Sequence, residues 1–392
     1  MDRKRILVSG GGIAGLTFAI ELKRRGFEPL VIERELGLRA EGYMMDFFGS
    51  GWEVASRMGL TDALRAVRYP IDELEFVDAR GTAYARYPVD RVRRALDNKY
   101  VYLRRPDLER ILAARARETG VAIRYGTSLA AIEDHGGTVR ARFEDGRDDE
   151  FALVIGADGV HSRVRDLAFG PEAQFARFLG LYVAAFHVPS RGFSIGREVK
   201  LYEETDHFAF VYPLSDTELD ATLCFRRAAM GVPHDDRIGF LQQEFHGGGW
   251  ITPDVIKAYT GREPVYFDSV TQIVMPRWHK GRVALIGDAC GCLTLLAGQG
   301  SHMAMAGAYV LAQELARHDD HRAAFAAYET FVRPAVEKRQ KSAVRFVGLF
   351  VPSKTSREWL RRLFIRAFFS PPLLALGLRF FGSRSILAGR AD

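Results

Sequence analysis

Cysteine is scarce: Cys224, Cys290 and Cys292 are the only three in 392 residues. So few, and an odd count, exclude a disulfide framework and point to a reducing compartment, so a cytoplasmic location is expected. Long apolar runs are absent as well. No uninterrupted stretch of about 18 apolar residues occurs, which argues against a membrane-spanning helix. The opening, Asp2 to Arg5 before an apolar run from Ile6, copies the start of a signal peptide, but three consecutive glycines and Glu21 argue against one. There is no HExxH, no GxSxG, no zinc-finger or RNP-like motif, and the ten histidines form no ligand cluster. A metal site, serine-hydrolase chemistry and nucleic-acid binding therefore find no support. No internal repeat is present.

What remains is ordinary globular usage: 47% apolar and 27% charged residues, with 38 glycines and 15 prolines. The length allows two or three domains. The net charge of +6 is unevenly placed. Residues 341–392 carry ten Lys or Arg against Glu358 and Asp392, so the tail holds +8 and residues 1–340 hold −2. A basic balance confined to the tail says nothing for nucleic acid at the main body.

Residues 5 to 9 form a short apolar run ending at Gly10, a helical pattern follows to about Arg25, and a second run covers Pro29 to Ile32. Strand, glycine turn, helix, strand is a βαβ unit. Val121 to Arg124, the run ending at Asp158 and the run ending at Asp288 read as further buried parallel strands. From about Phe175 to Arg277 the pattern changes to alternating, aromatic-rich strands, read as an antiparallel sheet. The expected architecture is α/β: a discontinuous Rossmann-like domain (1–74, 101–174 and 278–340), a β-rich domain (75–100 and 175–277), and a basic C-terminal helical segment (341–392). Pro334 is expected to break or kink the last long helix.

Gly10, Gly12 and Gly15 match GxGxxG between strand and helix, with Glu33 eighteen residues after Gly15. The first glycine makes the turn, the second lets the backbone approach a pyrophosphate, and the third packs helix on strand. The helix N-terminus favours the phosphate charge, and Glu33 suits an adenosine ribose. A carboxylate there disfavours a 2′-phosphate, so the resident nucleotide should be FAD or NAD. Asp158 and Asp288 close two buried strands and should face the crevice, where they suit ribityl or ribose hydroxyls. The alternative is that each caps the following helix, and for Asp158 a turn role is at least as strong. Gly298, Gln299 and Gly300 at a helix start add backbone donors suited to a flavin's electron-rich edge.

These motifs, in order over about residues 5–340, resemble the class A flavoprotein monooxygenases, single-component aromatic hydroxylases of the p-hydroxybenzoate hydroxylase fold. GGGIAG with Glu33 and Arg34 resembles the family's first FAD fingerprint, ADGVHSRVR its DG motif, and GDACGCLTLLAGQG its GD motif. Within that family the chain looks closest to the tetracycline-inactivating flavin monooxygenases. RAEGYMMD resembles their stretch with an arginine implicated in NADPH binding (Arg39) and an aspartate at FAD (Asp46), and LRRPDLERIL places Arg105 on the flavin.

The resemblance implies a GR2-type FAD-binding domain, NADPH or NADH as reductant, and oxygen transfer from a flavin C4a-hydroperoxide to an aromatic or polycyclic substrate, with no side-chain nucleophile. Gly291 and Leu295 replace a histidine and a proline usual in the GD motif; Leu295 would stand at the flavin's reactive edge. The substrate would lie between the flavin and the antiparallel sheet, where Phe208, Phe210 and Tyr212 share one face. Ordinary sheet core is the competing reading of those aromatics.

A flavin dehydrogenase or reductase, or a non-catalytic flavin-binding partner, are the alternatives in function; no WxWxIP stretch supports a halogenase. A monomer or homodimer is expected. In the tail, Leu360, Leu363, Phe364 and Ala367 fall near one helical face, with Arg361, Arg362 and Arg366 mostly elsewhere. A helix covering the domain junction with solvated arginines is favoured over weak contact with an anionic membrane.

Overall fold

The computed structural model describes residues 5–38, 44–231, 233, 235–294, 298–352, 358–368 and 385–390. The run Arg5–Ser9 lies inside a six-stranded sheet of order His279–Lys280, Val283–Leu285, Leu153–Gly156, Arg5–Ser9, Glu28–Ile32 and Ala122–Arg124. Ile6, Leu7 and Val8 have no exposed surface. Three consecutive buried side chains need cover on both faces, the condition under which parallel pairing is found. All pairs are parallel except the edge hairpin.

The second large sheet has seven strands, in the order Tyr266–Ile273, Ala176–Pro189, Glu218–Arg226, His207–Pro213, Glu198–Glu204, Glu73–Val77 and Ala83–Pro88. Two of its strands, Glu73–Val77 and Ala83–Pro88, come from before residue 100. The sheet is mixed, however: Glu198–Glu204 pairs parallel with Glu73–Val77. These strands arrive from distant parts of the chain, so no hairpin imposes antiparallel geometry. Tyr100–Arg104 leaves this sheet and pairs with Met44–Phe48 in a separate ribbon. A three-stranded antiparallel sheet over Leu129–Asp134, Val139–Phe143 and Asp148–Phe151 was not anticipated, because its charged residues mask the strand signal.

One face of the seven-stranded sheet, with Ala209, Val211, Phe225 and Phe267, packs under Leu241, Phe245, Val255 and Ile256 of two short helices. The opposite face carries Phe208, Phe210 and Tyr212.

Two helices depart from the reading above. The expected break at Pro334 does not occur, and the helix His321–Phe350 runs through it. An internal proline costs about 3 kcal/mol, and the helix is held on both sides of it: Ala324, Phe325, Tyr328 and Val332 before, Val336 after, all in the main core. Gln340 adds a buried clamp, donating to the Ile273 and Cys292 carbonyls at 2.8 and 2.9 Å. The helix Glu358–Phe368 is rolled the other way from the reading above. Of the side chains described at 361–367, Ile365 is buried, against Phe76, Ala85 and Tyr87, whereas Leu363 and Phe364 are 55% and 49% exposed and Ala367 is exposed too. Arg361 turns inward to the buried Glu203 at 3.0 Å, and Arg362 lies over the Tyr84 ring at 5.1 Å. A buried carboxylate on the sheet demands a cation, and that demand sets the roll of the helix.

Candidate flavin site

The chain leaves the strand at Ser9 and turns at Gly10, whose φ of +111° favours glycine. A Cβ on Gly10 would collide with the Ala157 carbonyl, and one on Gly15 with the Gly10 carbonyl. Gly12 differs. The nearest atom to a Cβ there is Glu109 Oε1 at 4.0 Å, so this glycine is not required by packing. Gly12 caps the helix Ile13–Arg24 without a side-chain hydrogen bond, and no acidic residue occupies the first turn. The helix therefore presents free N–H groups and its positive end where an anion can approach.

Glu33 follows the strand Glu28–Ile32, and its carboxylate accepts from the Gly11 N–H at 2.8 Å and the Glu35 N–H at 2.9 Å. These bonds clamp the glycine turn and leave each oxygen a second lone pair for a ribose hydroxyl. Arg34 is on the surface, 3.7 Å from Glu35.

Arg105 opens the helix Arg105–Glu118, with Nε 3.2 Å from Glu109 Oε1. Glu109 thus holds Arg105 close to Gly12. Burial raises the Asp288 carboxyl above the usual carboxylate range, and the nearby charge of Arg105 opposes that rise. Asp288 begins the short helix Asp288–Gly291, and its Oδ1 is 3.8 Å from where a Cβ on Gly300 would stand. Gly300 in turn begins the helix Gly300–Arg317, capped by Gln299 with no side-chain hydrogen bond. Gln299 accepts from Arg339 Nε at 2.9 Å, and Gly298 has φ +61°. Gly12, Arg105, Asp288 and Gly300, far apart in sequence, thus lie near one another in space.

Ser162 is the N-cap of the helix Arg163–Ala168, and Asp158 braces that cap. Its Oδ1 accepts from Ser162 Oγ at 2.5 Å, and its Oδ2 accepts from the Val164 N–H at 3.0 Å and Ser9 Oγ at 3.4 Å. Asp46 is on the Met44–Phe48 strand, where it accepts from the Tyr100 hydroxyl and burial raises its carboxyl. Arg39 and Leu295 lie outside the described residues.

Of the three aromatics, Phe208 is buried with Leu181, Val183 and Cys224, and Phe210 is half-buried. Tyr212 is wholly buried, and its hydroxyl accepts from the Met44 N–H at 2.9 Å. Its polar end thus ties the sheet to the ribbon. Cys290 and Cys292 are buried free thiols whose pKa burial pushes well up, the behaviour of small core residues. No group of His, Cys, Asp or Glu suited to a metal occurs among the described residues.

Three further residues belong here that sequence reasoning passed over. His302, in the first turn of the Gly300–Arg317 helix, reaches the Asp46 carbonyl; Glu109 pairs with Arg105 beside Gly12; Arg339 holds Gln299. Glu109 was visible as an i, i+4 partner of Arg105 on a helix. His302 and Arg339 had no local signal.

The arrangement fits FAD: an unobstructed glycine facing a free helix end, a carboxylate with spare lone pairs past the second strand, and a second helix N-terminus beside Asp288. A family model described as "FAD binding domain" matches residues 3–230 and 265–343. An uncharacterized protein of Mycobacterium tuberculosis is 36% identical over 349 residues, spanning 86% of this chain and 92% of the relative. A flavin-dependent monooxygenase from an unknown prokaryotic organism is 33% identical over 348 residues, spanning 87% and 88%. The crystal structure of tetracycline destructase Tet(51) superposes with a TM-score of 0.80 at 30% identity, covering 93% of this chain and 96% of that one. The chain therefore belongs to the class A flavoprotein monooxygenases and is an FAD-dependent enzyme of that family.

Proposed function

We propose that the enzyme uses NADPH or NADH to reduce its FAD and inserts one atom of dioxygen into an aromatic or polycyclic small molecule. The observation that carries this reading is the nearness of the glycine turn, Arg105, Asp288 and the Gly298–Gly300 helix start, a grouping that suits a flavin. Bound FAD supplies the redox and oxygen-transfer chemistry. The chain's own groups bind and orient it. The helix starting at Ile13 stabilises the pyrophosphate, Glu33 accepts from the adenosine ribose, and Asp288 accepts from the ribityl chain. The N–H groups around Gly298–Gly300 stabilise negative charge on the reduced ring.

The division of labour follows the domains expected above: residues 1–74, 101–174 and 278–340 hold the flavin, and 75–100 with 175–277 cover the substrate. Phe208 is taken up in the sheet's core, which leaves the half-buried Phe210 as the aromatic of that face suited to a flat substrate. The likeness to a tetracycline destructase, at 30% identity over most of the chain, supports a polycyclic substrate class.

The test is product mass analysis after incubating FAD-loaded protein with NADPH, air and a panel of phenols, quinones and tetracyclines. Gain of one oxygen atom dependent on enzyme and NADPH is expected. Loss of two hydrogens instead would move the enzyme to the dehydrogenases.

A further inference from the structure

Arg339 is a half-buried cation on the His321–Phe350 helix, and among the described residues no carboxylate comes within ion-pair distance of it. Its Nε donates to Gln299 Oε1 at 2.9 Å, and its Nη1 donates to the Ala335 carbonyl, one turn back in its own helix, at 3.2 Å. Its Nη2 has no acceptor among the described residues. Burial pulls the guanidinium below its ordinary range, with no acidic neighbour to raise it again. A cation taken partly out of water is costly unless a negative charge meets it.

The place of this cation is specific. Gln299 caps the Gly300–Arg317 helix, so the hydrogen bond holds Arg339 beside that helix's N-terminus. No acidic residue occupies the first turn to cancel the positive end. The charge of Arg339 reaches His302 in that same turn, where it joins burial in keeping the imidazole neutral. Nor does the neighbouring machinery supply an anion: Arg105 is paired with Glu109, and burial pushes the Asp288 carboxyl towards its neutral form. Free helix N–H groups and a guanidinium thus make one positive region with no protein carboxylate against Arg339.

The flavin reading sets the ring's electron-rich edge at this helix start. In that reading NADPH or NADH gives one hydride to N5 of bound FAD and leaves as NADP⁺ or NAD⁺, and the reduced ring gains one negative charge, shared by N1 and the C2 carbonyl. We propose that Arg339 supplies the countercharge for the reduced ring, making bound FAD easier to reduce and holding it as the anion once reduced. The inference rests on the FAD reading and adds a full positive charge to the helix N–H groups. Charge fixed in advance where negative charge develops needs no rearrangement when the hydride arrives.

The experiment uses the FAD-loaded full chain and two variants, Arg339→Gln and Arg339→Lys, with the flavin midpoint potential read by equilibration against redox dyes. Arg339→Gln keeps a side-chain donor and loses the charge. Its potential should fall by about 30 mV or more, the shift for a tenfold weaker hold on reduced relative to oxidised FAD. Arg339→Lys should keep most of the native potential. In the native protein the potential should fall by about 30 mV per pH unit between about pH 6 and 8, the slope for one proton taken up with two electrons.

An unchanged potential in Arg339→Gln overturns the proposal. So does an equal fall in both variants, which would reduce Arg339 to a support for Gln299. A native slope of about 59 mV per pH unit, two protons for two electrons, would mean a neutral reduced ring and overturns it without any variant. Native protein that takes up no FAD would instead remove the flavin reading itself, so the two failures are distinguishable.

Discussion

His302 Nε2 lies 2.9 Å from the backbone carbonyl of Asp46, and the imidazole meets the Phe48 ring edge-on at 4.7 Å. One side chain thus fastens the first turn of the Gly300–Arg317 helix to the Met44–Phe48 strand. Burial pulls its pKa down to about 4, so the ring is neutral at physiological pH and Nε2 carries the proton it donates. Replacing His302 by Ala removes that bond and leaves a void, at an expected cost of about 2–4 kcal/mol. Denaturant unfolding of the apoprotein measures this, and flavin retention should weaken in parallel. His302→Gln, which keeps a donor, should recover part of both.

Two buried groups oppose each other in acid. Asp220 shares one rung of the seven-stranded sheet with His187 and Tyr212 and is pushed up to about 6, chiefly by burial. Thr222 at 2.8 Å, His187 at 3.6 Å and the charge of Arg104 favour its ionised form, while its negative charge acts on Tyr212 and Tyr102. Between about pH 4 and 6 the folded chain keeps a proton that the unfolded chain releases, so this group's contribution falls as pH rises, by about 3 kcal/mol at full extent.

His302 acts in the opposite sense. Between about pH 4 and 6.5 the unfolded chain binds a proton that the folded chain refuses, so stability rises with pH. Asp220→Asn should therefore make the slope of stability against pH more positive over this window, and His302→Ala should make it more negative. Unfolding midpoints collected across that pH range decide both.

The glycines of the turn should separate by variant. Gly10→Ala and Gly15→Ala force backbone clashes and should fail to give stable protein. Gly12→Ala has clearance of 4.0 Å and should fold normally by circular dichroism while binding FAD far more weakly. Undiminished flavin occupancy in Gly12→Ala would remove the pyrophosphate from that position.

Glu203 accepts from the Tyr84 hydroxyl at 2.9 Å and pairs with Arg361 at 3.0 Å, where its side chain is 2% exposed. Arg361→Ala leaves that carboxylate poorly compensated, and a loss of about 3 kcal/mol is expected. Early protease cleavage near the Glu358–Phe368 helix and a lower thermal midpoint would report it. Glu203→Gln should restore much of the loss in the double variant.

The sequence by itself determined the βαβ start, the glycine turn and the family. These rest on local rules: consecutive apolar residues demand cover on both faces, and the spacing of Gly10, Gly12 and Gly15 requires only a strand-to-helix turn. The alternation of Phe208, Phe210 and Tyr212 was equally legible, because a strand has period two. How each aspartate is engaged was not, since Asp158 and Asp288 follow similar strands. Ser162 and the Val164 N–H engage one of them in the fold. Tertiary structure alone decided that His302 meets Asp46, that the His321–Phe350 helix survives Pro334, and that Arg361 turns inward while Leu363 faces out. In each case a buried polar group or a packed neighbour from distant sequence outweighs the local preference, and no local pattern encodes that partner.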